Sequence, residues 1–104
     1  MIREGVAMTT QRLLRLKHDR RVLGFLSARV VRDGDRETAW SLRLESPAEL
    51  DVFRGHLADG TSMALSMITG DGDHLRGEAC VANVSDAVEA TVVTLSGLGP
   101  LHRG

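Results

Sequence analysis

The sequence predicts a mainly β protein with one helix, in the order β-β-β-α-β-β-β, built as a small antiparallel barrel or as two packed sheets capped by the helix. Three observations carry this expectation. Apolar residues recur at every second position along most of the chain, which is the period of a half-buried strand. Short Asp/Gly clusters at 33–35 and 70–73 cut these runs at hairpin distances. One stretch alone, from Ser46 to Gly60, changes to helical spacing between start and stop signals.

The elements follow in order. Residues 1–10 show no period and read as a flexible arm. From Arg12 to His18 the chain alternates, with Leu14 and Leu16 on one face and Arg15 and Lys17 on the other. Asp19-Arg20-Arg21 makes a polar turn. Val22 to Arg32 then reads as one longer strand, apolar on both faces near its start, with Gly24 marking a bulge or a close approach. Asp33-Gly34-Asp35 turns the chain. On the return strand, Glu37 to Glu45, Thr38, Trp40, Leu42 and Leu44 share the inner face.

Ser46-Pro47-Ala48-Glu49 has the composition of a capping box: Ser46 as the cap, Pro47 at the first helical position, Glu49 reaching back. Leu50, Phe53 and Leu57 follow at helical spacing and Gly60 supplies the stop, so a helix of about three turns is expected over 47–58. Three strands complete the order. Met63, Leu65 and Met67 alternate in the first. Leu75, Ala79 and Val81 face inward in the second, with Arg76 and Glu78 outward. Val88 to Ser96 forms the third. Residues 101–104 read as a loose tail.

A length of 104 residues fits a single domain, 1–104. Aromatic residues are only 3% of the chain, so the core must rest on Leu, Val, Ala and Met. No apolar run approaches the roughly 20 residues of a membrane-spanning helix. Met1-Ile2-Arg3-Glu4-Gly5 lacks the basic-then-apolar pattern of a secretory signal, and the lone Cys80 can form no internal disulfide, which points to a cytoplasmic site of synthesis. The net charge of −1 hides a division: residues 1–32 carry eight basic against two acidic residues, and residues 33–104 five against twelve. Arg12, Arg15, Lys17, Arg20 and Arg21 form the densest basic stretch and are the candidate interaction surface.

Chemistry of other kinds finds little support. His18, His56, His74 and His102 stand at wide spacing in different elements, without the short spacing of a metal site. Asp33/Asp35 and Asp71/Asp73 each bracket a glycine, which is turn chemistry; neither has the further oxygen ligands of a calcium loop. No helix or lysine follows Gly97-Leu98-Gly99-Pro100, so it is no phosphate loop. The expectation is a non-enzyme with no catalytic residues, metal or cofactor. An alternative is a small barrel of oligonucleotide-binding type, tracking phosphates along the basic N-terminal strands. Against it, single-strand binders stack bases on aromatic side chains, and Trp40 and Phe53 fall on core-facing positions.

The C-terminal quarter runs Leu75-Arg76-Gly77-Glu78-Ala79-Cys80-Val81, a Ser85 turn, then Val88 to Ser96 and Leu95-Ser96-Gly97-Leu98-Gly99-Pro100-Leu101. A small-residue strand, a Ser/Asp turn, a Val/Thr strand and a Leu-x-Gly-x-Gly-x-Leu end resemble the C-terminus of long-tailed bacteriophage tail-tube proteins over residues 75–101. That resemblance implies packed β-sheets flanked by a helix, and subunits that assemble into stacked rings. It implies a virion or tail-like particle as the destination, in a tube, tail-completion, connector or decoration role, with other copies or virion subunits as partners.

Overall fold

The structure, a computed structural model, describes residues 8–33, 39–86 and 88–103. The elements are β1 (Met8–His18), β2 (Arg21–Val22), β3 (Ser27–Asp33), β4 (Trp40–Glu45), α1 (Leu50–Asp59), β5 (Ser62–Thr69), β6 (His74–Asp86), β7 (Thr91–Gly97) and β8 (His102–Arg103). Six strands close a barrel in the order β1-β3-β4-β7-β6-β5, every pairing antiparallel. It consists of two three-stranded meanders, β1-β3-β4 and β5-β6-β7, joined through α1. The barrel form of the expected fold is therefore the one adopted. Closure leaves the six main strands without a free edge along their paired lengths.

Closure depends on β1 changing partners. Its first half pairs with β3, from Met8 opposite Asp33 to Arg12 opposite Arg29. Its second half pairs with β5, from Leu13 opposite Thr69 to His18 opposite Leu65. The register slips between Leu13 and Arg15, a bulge at the point of exchange. The extra residue turns Leu14 outward: it is 60% exposed, while Leu13 is buried in its place, and Leu16 inward with Arg15 and Lys17 outward follows the expected alternation. The expected sharing of a face by Leu14 and Leu16 is thus corrected, because a one-residue slip moves every later side chain across the sheet.

The expected single strand from Val22 to Arg32 is also two. Leu23 N–H donates to Leu16 O and Leu26 N–H donates to Glu45 O, so the chain leaves one partner strand for another here. Gly24 sits at the crossing. A Cβ there would lie 3.1 Å from Ala48 Cβ. Ala48 N–H donates to Gly24 O at 2.8 Å, and Gly24 N–H donates to Glu49 Oε2 at 2.9 Å. The close approach expected of Gly24 is therefore to the start of the helix.

Those bonds also account for a second correction. Ser46 does not cap the helix. It lies in the left-handed region at φ 49°, its N–H donates to Thr91 O, and α1 starts at Leu50 with Glu49 at the cap position and no side-chain cap bond. The Glu49 carboxylate binds Gly24 instead of closing a capping box, a tertiary partner displacing a local one. At the other end Gly60 takes the left-handed conformation (φ 68°) and donates to His56 O, as a C-terminal glycine should.

Leu16, Val30, Leu42, Leu44, Met63, Met67, Leu75, Val93 and Leu95 fill the barrel, and α1 adds Phe53, which is wholly buried. Trp40 lies across one end of the barrel. A Cβ on Gly97 would stand 2.3 Å from Trp40 Nε1, and one on Gly77 would stand 2.8 Å from Trp40 Cζ2. The indole N–H donates to Gly99 O at 2.8 Å, and Leu101 packs against the core beside it. The Leu-x-Gly-x-Gly-x-Leu segment thus wraps the tryptophan: one glycine makes room for the ring and the next offers it an acceptor. Two expectations about the ends change. Thr9 and Thr10 belong to β1, and His102 and Arg103 pair with Arg76 and Leu75 of β6. The expected Asp33-Gly34-Asp35 turn, residues 1–7 of the expected arm, and Gly104 extend beyond the described residues.

Candidate interaction surface

In each strand the inward positions take apolar residues and the outward positions take what remains, so the charges of the first meander are driven onto its outer wall. The division of charge along the sequence becomes a division in space. Among the described residues, the part up to Glu45 carries eight Lys/Arg against three Asp/Glu, and the part from Ser46 onward carries three against eight. Each meander is contiguous in sequence, so the two excesses stay apart except along the β1–β5 seam, where Arg76 of β6 joins Arg15 and Lys17.

The five candidate basic residues do not form one cluster. Arg12 points outward on the β3 side of the bulge. Its register partner is Arg29, and the register partner of Arg29 is Arg43. All three are exposed. They form an arginine ladder across three neighbouring strands, with side-chain origins about 5 Å apart at each step. Among the described residues, no carboxylate lies within ion-pair distance of any of the three; the pairs seen are His18–Asp19, Arg54–Asp86 and Arg103–Asp73.

Arg15 and Lys17 lie beyond the bulge and face β5, opposite Ile68 and Ser66. Those two pair in turn with His74 and Arg76. Arg15, Lys17, His74 and Arg76 therefore line a shallow outer groove of about 350 Å³. Arg20 and Arg21 stand at the β1–β2 turn, where Asp19 (φ 50°) and Arg20 (φ 68°) are both left-handed. Asparagine and aspartate tolerate that conformation; arginine does so at a cost of about 1–2 kcal/mol.

Arg29, Arg43 and Arg76 were not among the candidates. Alternation already placed Arg43 and Arg76 on outer faces, but their neighbours are set by strand register, which no local pattern encodes. The chain's three Phe and Trp residues offer no stacking platform: Trp40 and Phe53 are buried, and Phe25 is half-buried against the core. Asp73 N–H donates to Thr69 Oγ1, so that carboxylate pair sits in a tight turn. His18 and His56 meet edge to face at 5.2 Å, yet no group of three potential metal ligands occurs among the described residues. Cys80 is a half-buried free thiol. No helix among the described residues is long and apolar enough to cross a membrane.

No family model matches the sequence, and no curated protein matches it significantly. In fold the barrel is similar to the crystal structure of a hypothetical protein from Staphylococcus aureus. The TM-score is 0.70 at 12% sequence identity, over 92% of this chain and 71% of that one. At this identity the likeness is one of fold.

Proposed function

We propose that this protein is a non-enzymatic assembly subunit that associates with further copies of itself through complementary charged faces, and that it serves in a virion or phage-tail-like particle. The spatial division of charge is the observation that carries this proposal. A closed barrel with a basic wall on one meander and an acidic surface on the other is complementary to its own copies. Exposed apolar residues add to it: Leu26 and Val88 are 79% and 106% exposed, and the bonds Leu26 N–H to Glu45 O and Ser46 N–H to Thr91 O place their loops at the same rim. The phage assignment rests on the resemblance over residues 75–101. Nucleic-acid binding is disfavoured by the burial of Trp40 and Phe53.

Sedimentation velocity over a wide concentration range, repeated at rising salt, tests the proposal, with negative-stain microscopy of the heavier fractions. Association that grows with concentration and weakens with salt, and rings or tubes on the grid, are expected. A strict monomer throughout would overturn it.

A further inference from the structure

We propose that the Arg12–Arg29–Arg43 ladder is the docking surface for helix α1 of a second copy, received along its Asp51–Gly55–Asp59 stripe. This rests on the self-assembly proposed above and names the faces that meet. The ladder comes first in the case for it. Three guanidinium groups at directly opposed positions repel one another, and cross-strand like charges are destabilising. Among the described residues none of the three makes an ion pair, and Glu45, the carboxylate that shares an outer depression with Arg29 and Arg43, accepts from Ser27 Oγ instead. A surface of this kind fits an anionic partner with a matching spacing.

Helix α1 supplies one. Asp51 and Asp59 are exposed, have no ion pair among the described residues, and border one depression with Val52, Gly55 and His56. They are eight residues apart, so about 12 Å along the helix axis. The ladder spans two inter-strand spacings, about 10 Å from Arg12 to Arg43. The long arginine side chains absorb the difference. The middle of the stripe is Gly55, and nothing lies within 4 Å of where its Cβ would be. Inside this molecule the glycine makes room for nothing, and a mid-helix glycine weakens the helix relative to alanine. Set across the ladder, the open site over Gly55 receives Arg29, while Asp51 and Asp59 pair with the outer two arginines. A nucleic-acid strand also offers spaced anions, but it accounts neither for the matched carboxylates of the chain itself nor for Gly55.

The test uses the full chain and four variants, read by sedimentation and by thermal melting. Arg29→Glu should weaken self-association at least about tenfold. Gly55→Ala should also weaken it, although the same change raises the melting temperature by roughly 5 °C. A loss of assembly together with a gain in stability separates docking from misfolding. Arg12→Glu/Arg29→Glu/Arg43→Glu and Asp51→Lys/Asp59→Lys should each be monomeric alone and associate when mixed. If the wild type associates and these variants associate equally well, the docking inference falls and self-assembly stands. If the wild type never associates, both fall. If Arg29→Glu leaves association unchanged but abolishes binding to a single-stranded DNA oligomer, the ladder is a polyanion site and the inference is overturned.

Discussion

Replacing Gly97 with alanine places a methyl group inside the indole of Trp40. The new carbon would lie 2.3, 2.4 and 2.6 Å from Nε1, Cε2 and Cδ1 of that ring. Real side-chain carbons do not tolerate such distances, so the ring or the strand must move. Trp40 is only 5% exposed, and Nε1, the atom nearest the new carbon, is the one that donates to Gly99 O, so a shift of the ring also breaks that bond. Overpacking a core costs about 1–3 kcal/mol. A net hydrogen bond adds about 1 kcal/mol. The expected loss is about 2–4 kcal/mol, a fall of roughly 10–25 °C in melting temperature for a domain of this size. Urea unfolding followed by fluorescence measures it at the site itself, because Trp40 is the chain's single tryptophan. The native emission should shift to the red as the ring is displaced toward solvent. In a Trp40→Leu background, followed by circular dichroism, the cost of Gly97→Ala should shrink, since the atoms it strikes are gone. A loss below about 0.5 kcal/mol with unchanged emission would refute the packing described here.

Other perturbations have equally definite outcomes. Leu16→Ala should cost about 2–5 kcal/mol, whereas Leu14→Ser should change stability by no more than about 0.5 kcal/mol; similar losses in chemical denaturation would deny the bulge. Gln11 Oε1 is buried without a hydrogen-bond partner among the described residues, so Gln11→Leu should raise stability by about 1 kcal/mol, and a decrease would mean that the amide is satisfied. Arg20→Gly relieves a left-handed arginine and should stabilise the fold by about 1 kcal/mol in the same assay. If Arg20 serves the assembly face, sedimentation should show weaker self-association in the same variant.

The strand-rich class was legible because alternation survives wherever one face of a strand is buried. Trp40, Leu42 and Leu44 were placed correctly by that rule alone, as were Leu75, Ala79 and Val81. Gly60 was legible because a helix stop is a local event. The bulge in β1 was not. Leu13 and Leu14 are both apolar, so either can be read as the inward residue, and the choice is made by the change of partner from β3 to β5. The capping box failed for a related reason: Ser46 and Glu49 have the right composition, but Thr91 and Gly24, far along the chain, bind them first. The basic surface was half legible. Sequence gathers Arg12 with Arg15, Lys17, Arg20 and Arg21 in one basic stretch, and the structure shows it exposed. Only the barrel's register shows that its neighbours are Arg29 and Arg43 rather than Arg15 and Lys17.

Three features of this barrel weaken it as an isolated molecule. The arginine ladder sets like charges side by side, Arg20 occupies a conformation better suited to glycine, and Gly55 interrupts a helix at a site where alanine would meet nothing. Each costs from a few tenths to about 1–2 kcal/mol, set against a total stability of about 5–15 kcal/mol for a domain of this kind. By contrast, the glycines that pack against Trp40, and Gly24 beside Ala48, have an evident role inside the fold. Apart from the buried Gln11 amide, these unfavourable sites lie on the outer surface, two on the basic meander and one on the acidic helix. Under the proposed self-association, that distribution has a physical reason: local stability is given up where a second copy would supply the missing charge or fill the open space.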